Sequence, residues 1–162
     1  MGRAGPPLRP AAATDTRPPL DIRPAMPGDA DDVARLLVEL GYPCSTREAA
    51  ERIHAVDADR QQVLLLARRD GAGCCLVGLH FLYYVPLGAL ICRITALVVA
   101  TEARGSGVGR QLLEEAYRRA RSADCVRLEL TTALHRTEAH AFYRACGFTE
   151  SSLRFTRALG GA

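Results

Sequence analysis

The chain contains no lysine, no asparagine and no tryptophan, so all 21 of its basic residues are arginine. That bias fits a GC-rich coding sequence better than any demand of folding, and arginine abundance therefore carries no functional weight by itself. No dense basic run and no aromatic-basic ladder occurs, and a formal net charge of +3 is too mild for a nucleic-acid binder. A modest pull on anionic ligands is all that it implies. The six cysteines (Cys44, Cys74, Cys75, Cys92, Cys125, Cys146) form no C-x-x-C pair, and most fall in apolar runs. Buried reduced thiols are expected, rather than a disulfide framework or a zinc site, and no metal is expected. Residues 1–19 hold five of the nine prolines but no apolar stretch like the core of a signal peptide. Nowhere does an apolar run approach the roughly 20 residues needed to span a bilayer. The nearest, 76–97, is interrupted by His80, Pro86, Gly88 and Arg93. Strands are expected there, no membrane partner, and a cytoplasmic location.

What is present suffices for one domain. With 162 residues, 48% of them apolar, the chain has the length of one compact unit and an ample core. A disordered tail is expected over 1–19 and a single domain over 20–162, with no internal repeat. Residues 20–23 alternate like a strand, and a helix starts near Asp29, with Ala30, Val33, Leu36, Leu37 and Leu40 on one face. Gly41 and Pro43 stop it. Ser45-Thr46-Arg47-Glu48 is a capping box that opens a second helix, whose buried stripe is Ala49, Ile53 and Val56. Strands over 63–67, 75–84 and 90–99, separated by turns at 70–73 and 86–88, form an antiparallel meander. The pattern then changes to a glycine-rich turn, a helix over 107–121 and a strand over 126–131, a β-α-β unit that forces parallel pairing. A helix over 137–145 ends at Gly147, and 148–159 has room for two short closing strands.

The chemistry is concentrated in Arg104-Gly105-Ser106-Gly107-Val108-Gly109, between the apolar strand ending at Val99 and the helix that follows. Glycine lets the backbone come within hydrogen-bonding distance of a diphosphate, and the free amides of a helix N-terminus point at it with partial positive charge. A Walker loop would need Gly-Lys-Ser/Thr and the dinucleotide fingerprint Gly-x-Gly-x-x-Gly; neither is present. The Arg-x-x-Gly-x-Gly spacing instead resembles the pyrophosphate loop of the GNAT acetyltransferases. Ala139-His140-Ala141-Phe142-Tyr143 followed by Cys146-Gly147-Phe148 resembles that family's second signature at its usual distance. The resemblance covers roughly 20–159. It implies an α/β fold with a mixed central β-sheet flanked by about four helices, and acetyl-coenzyme A as the donor. The implied cofactor contacts are Leu97, Val98 and Val99 (pairing with the pantetheine arm), Arg104 to Gly109 with Arg110 (the diphosphate), and Ala139, Phe142 and Tyr143. Family members are often dimers, so a homodimer is the implied assembly.

A free amine with a pKa of about 10 is almost wholly protonated at neutral pH, so the enzyme must supply a base or a water chain. Charge that develops on the carbonyl oxygen needs a donor, which the resemblance places on the Val98-Val99 backbone. Tyr143 stands where the family has the tyrosine that protonates the departing sulfur. Many relatives carry a glutamate near the position of Ala96, and this chain does not. His80 and His135 are the candidate bases, because imidazole titrates in the right range, while His140 is assigned to loop anchoring. Arg136 stands where many members have asparagine. Together with Gly78-Leu79-His80, Ala139-His140 and Arg154-Phe155-Thr156, it resembles the aminoalkylphosphonate acetyltransferases within the family. Arg136, Arg93 or Arg154 would then meet the phosphonate, and Tyr42, Tyr83 and Tyr84 would flank the acceptor. The expected partner is a small primary amine. A protein or peptide acetyltransferase and a catalytically silent coenzyme A sensor are the alternatives.

Overall fold

The computed structural model describes residues 18–160, so the tail expected over 1–19 lies outside the described residues save its last two. The backbone places β1 at Asp21–Pro24, α1 at Ala30–Leu40, α2 at Thr46–Asp57, β2 at Gln62–Arg69, β3 at Ala72–Tyr84 and β4 at Ala89–Val99. These are followed by α3 at Val108–Ser122, β5 at Leu128–Leu130 and α4 at Thr137–Ala145. The five strands form one sheet in the order β1-β2-β3-β4-β5. It is antiparallel from β1 to β4 and parallel between β4 and β5, which makes it the mixed sheet expected. Among the described residues no helix is long and apolar enough to cross a membrane.

Helices cover both faces of the sheet, because the strands bury side chains on both. On one face α1 and α2 press Val33, Leu36, Ala49 and Ile53 onto Leu66, Leu76 and Val98. On the other, α3 and α4 press Val108, Leu112, Ala116 and Tyr143 onto Leu65, Cys75, Val77, Ile94 and Leu97. The two-residue repeat of a strand assigns Cys75, Val77 and Leu79 to the α3–α4 face and Leu76 to the other. Cys44, Cys74, Cys75 and Cys92 are buried and all six thiols are free; burial pushes Cys75 and Cys92 up to about 12.

Local chemistry fixes the helix starts. Ser45 Oγ accepts from the Glu48 amide at 3.2 Å, and the Glu48 carboxylate accepts from the Ser45 amide at 2.7 Å, the reciprocal box expected at α2. Ahead of α1, a 3-10 turn at Pro27–Asp29 buries Asp29. Its carboxylate accepts from Arg23 at 2.7 and 3.0 Å, from Arg68 at 3.0 Å and from the Met26 amide at 2.7 Å. That group ties β1, β2 and α1 together.

One expectation fails. Residues 148–159 form no strands. The edge open to them is short, since β5, the last strand of the sheet, has only the three residues Leu128–Leu130. Leu153, Phe155 and Leu159 stay exposed, and Arg154 Nη1 to Thr131 Oγ1 at 2.8 Å anchors the segment beside β5.

Candidate active site

The site begins with a bulge. Gly78 pairs with Ala96 and Leu79 with Ile94, so Thr95 is an extra residue on β4. Gly78 makes room for it: a Cβ there would sit 2.6 Å from Thr95 Oγ1. Parallel pairing with β5 stops at Ile94, while β4 continues to Val99. The two strands part, and among the described residues the outer edge of 95–99 has no strand beside it. The Ala100 amide is spent on Cys74 O at 2.8 Å, so alternation turns the backbone groups of Leu97 and Val99 into the gap and those of Val98 toward β3. The Val98 side chain belongs to the α1–α2 core. Of the Leu97-Val98-Val99 segment, Leu97 and Val99 therefore present donors and acceptors to the gap.

At the end of β4 the chain is held before it turns. Glu39 on α1 accepts from the Thr101 amide at 2.8 Å and from Thr101 Oγ1 at 3.0 Å, fixing the 3-10 turn Thr101–Ala103. Ser106 Oγ donates to Ala103 O. Gly105 and Gly107 then adopt φ of 72° and 82°, a region that favours glycine, and a Cβ on either would have no heavy atom within 4 Å. The first hydrogen bond into α3 runs from the Gln111 amide to Gly107 O at 3.1 Å. The amides ahead of it face outward with the positive end of a 15-residue helix behind them. Gly109 is packed instead: a Cβ would lie 2.9 Å from Val99 Cγ2 and 3.3 Å from Phe142 Cζ. Arg104 Nε donates to Val99 O at 3.3 Å and Arg110 Nη2 to Ala145 O at 3.4 Å, so both arginines flank the cradle.

α4 closes the far side. Ala139 and Phe142 pack on the α3–α4 core, and Tyr143 is buried, 5.5 Å from the Phe142 ring and 5.9 Å edge-on from Phe148. Burial raises the Tyr143 phenol above its usual range, and nearby Arg136 opposes the shift. At neutral pH the phenol keeps its proton, as a proton donor must. His140 Nε2 lies 3.0 Å from Ala133 O, bracing the 131–136 loop against the helix as expected.

The remaining predicted residues separate. His80 is half-buried on β3, paired across the ladders with Gln62 and Arg93, on the α1–α2 face with Tyr84. Tyr83 faces the opposite side and is exposed, and Tyr42 is exposed on the α1–α2 turn. The three tyrosines thus do not share a wall. His135 is exposed on the loop after β5. Arg93 is held by Glu129, at 2.8 and 2.6 Å, and Arg154 by Thr131, whereas Arg136 at the head of α4 has no carboxylate partner among the described residues. Glu129 was missed in the sequence. It also binds Arg127 at 2.8 Å, and its signal was a lone acid at the centre of the apolar strand Leu128–Leu130. A hollow of about 430 Å³ at the opposite end of α3 is lined by Tyr117, Arg121, Asp124 and Arg127, and offers no glycine-loop amides.

At Gly109 the head of α3 meets Val99 of β4 and Phe142 of α4, next to Tyr143. The model of the Acetyltransferase (GNAT) family matches residues 30–148. The chain belongs to the GNAT acetyltransferase family. It is 34% identical over 146 residues to an aminoalkylphosphonate N-acetyltransferase of Salmonella typhimurium, covering 90% of this chain and 95% of that one. It is also 32% identical over 137 residues to an aminoglycoside N(6')-acetyltransferase type 1 of Stenotrophomonas maltophilia, covering 80% and 86%. The solved structure of a Bacillus halodurans transcriptional regulator matches with a TM-score of 0.80 at 23% identity, over 86% of this chain and 99% of that one, a likeness of fold. As a GNAT member the chain is an acetyl-coenzyme A-dependent N-acetyltransferase. Its residues fit that donor: open glycines where phosphates need close approach, and strand backbone facing a gap wide enough to end a ladder.

Proposed function

We propose that this GNAT enzyme acetylates the primary amine of a small molecule by direct attack, and that an aminoalkylphosphonate is the acceptor class. The observation that carries the reading is the parting of β4 from β5 beside the glycine amides of α3. When bound, acetyl-coenzyme A supplies an activated acetyl group. The amides at the head of α3 hold its diphosphate, with Arg104 and Arg110 at the rim. Leu97 and Val99 align its arm by backbone hydrogen bonds, and an amide of the same stretch meets charge on the carbonyl oxygen. Tyr143 Oη gives its proton to the departing sulfur. His80 takes the proton of the amine; it is fixed on the sheet by ladders on both sides, and that supports it over the exposed His135.

The likeness to the Salmonella enzyme supports the acceptor class, and so does the charge pattern. Of three candidate arginines, two are already bound to protein groups, and Arg136 is left to meet an anion near Tyr143. A thiol-release assay against aminoalkylphosphonates, aminoglycosides, other small amines and peptides tests this. Turnover on the phosphonates is expected, with Arg136→Ala raising KM for them by about 10- to 100-fold, the worth of one or two charge-assisted hydrogen bonds. Tyr143→Phe is expected to lower kcat about 10- to 10³-fold with coenzyme A affinity retained. Turnover on peptides alone would overturn the acceptor class. Coenzyme A binding without turnover on any amine would make the chain a sensor.

A further inference from the structure

β4 ends beside the glycine loop, and the opposite end of the sheet, where β4 begins, is apolar and open. Register pairs Tyr83 with Leu90, and the two-residue repeat puts both on the α3–α4 face, in line with Cys92 and Ile94. Val126 stands beside them, its amide donating to Leu90 O at 2.9 Å. α3 ends at Ser122 and leaves them uncovered, while its last turns bring Tyr117 and Ala120 to the hollow that Val126 and Leu128 also line. Tyr83, Leu90, Val126 and Tyr117 are 62%, 39%, 61% and 48% exposed, and Val85 and Leu87 at the hairpin turn are exposed as well. One exposed leucine or tyrosine is ordinary, but six large apolar side chains gathered at one end of a sheet form a patch of the kind that proteins bury against a partner.

The charges at its rim select the partner. Arg121 lies over the Tyr117 ring, 5.9 Å from its centre, and Asp124 follows three residues later; both line the hollow. Neither has an ion-pair partner among the described residues, although Arg118 and Arg119 on the same turns are both held by Glu115. An acidic partner would satisfy Arg121 and set its charge against Asp124, and a basic one would do the reverse. A second copy of the same face, turned by a two-fold axis, satisfies both, because Arg121 of each protomer meets Asp124 of the other.

We propose that this end of the sheet is a two-fold interface between copies of the chain, closed by Tyr83, Leu90 and Val126 and fixed by reciprocal Arg121–Asp124 pairs. It supplies a surface where the expectation of a homodimer named none. The 15 residues of α3, about 20 Å at 1.5 Å per residue, separate it from the glycine loop, so each protomer keeps its own site. The inference stands independently of which amine the enzyme accepts.

Arg121→Asp and Asp124→Arg test this by sedimentation equilibrium of the full chain across the micromolar range, where the wild type is expected to be a dimer. In Arg121→Asp two aspartates face each other at each contact, and in Asp124→Arg two arginines do, so each variant alone should dimerise about 10- to 100-fold more weakly. Mixed in equal amounts the two should form a heterodimer of near wild-type affinity, since both contacts then set an aspartate against an arginine. That rescue requires an interface in which position 121 faces position 124 across a two-fold axis. Val126→Glu puts a charge in the apolar part of the contact and should be monomeric, with the circular dichroism of the wild type because the side chain it replaces is exposed. A monomeric wild type would overturn the proposal by giving the patch to some other partner. A Val126→Glu chain that stays dimeric would overturn it by moving the interface elsewhere, and so would two weakened variants that fail to pair with each other.

Discussion

Gly107→Ala is expected to separate the ligand cradle from the scaffold that carries it. Gly107 stands at the head of α3 with φ of 82°, and a Cβ built there has no heavy atom within 4 Å. The substitution therefore meets no clash in the free protein. It costs about 1–2 kcal/mol, because an L residue is strained in the left-handed region. In a domain of this size each kcal/mol moves Tm by about 2–4 °C, so the free protein should melt about 2–8 °C lower. The effect on ligand is larger. The methyl would stand in the open space through which phosphates reach the α3 amides, and loss of even one charge-assisted hydrogen bond, about 1.5–3 kcal/mol, raises Kd by about 10- to 100-fold. Gly109→Ala is the control. There the Cβ lies 2.9 Å from Val99 Cγ2 and 3.3 Å from Phe142 Cζ, so overpacking of about 1–3 kcal/mol competes with a helix-propensity gain of about 1 kcal/mol. Thermal melting with and without coenzyme A, backed by calorimetric titration, distinguishes the two. If Gly107→Ala binds coenzyme A with wild-type affinity, the helix amides are not the diphosphate cradle.

Two further outcomes follow from the electrostatics of the core. Hydrogen bonds from Arg23, and then from the Met26 amide, hold buried Asp29 below the usual carboxylate range despite the opposing effect of burial. A lowered folded-state pKa contributes stability above the unfolded pKa of about 4, and that contribution disappears as pH falls through the folded value. Asp29→Asn should therefore cost about 3 kcal/mol at pH 7, or about 6–12 °C in Tm, with the difference from wild type narrowing at acid pH in melting curves. Thiol labelling of the native protein at pH 8 should modify Cys125 and Cys146 first, whereas Cys75 and Cys92, pushed up to about 12 by burial, should react only as fast as the chain opens; rapid labelling of Cys75 would contradict the packing of β3 against α3.

The sequence was most informative where the chemistry is local. The capping box at Ser45 uses groups three residues apart, and it forms with the partners expected. The glycine loop between an apolar strand and a helix is equally local, and Gly105 and Gly107 adopt the conformations that their lack of a side chain permits. Features that depend on distant partners were hidden. Nothing in the run 90–99 marks Thr95 as an extra residue; the bulge is visible only when Gly78 lies opposite it. Asp29 reads as an ordinary first-turn acid, yet its role depends on Arg23 and on Arg68, 39 residues away. Tyr42, Tyr83 and Tyr84 were expected to flank the acceptor because their elements border it in the family's fold, but adjacency in a strand places Tyr83 and Tyr84 on opposite faces. The tail 148–159 had room for two closing strands, but the edge open to them is only the three residues of β5.

The most direct test of the account is amide hydrogen exchange with and without coenzyme A, because its central claim is where the donor binds. Saturating coenzyme A should slow exchange at Leu97 and Val99 and at the amides of 105–110, and leave the hollow at the C-terminal end of α3, lined by Tyr117, Arg121 and Asp124, unchanged. Protection confined to that hollow, or absent from the glycine loop, would contradict it.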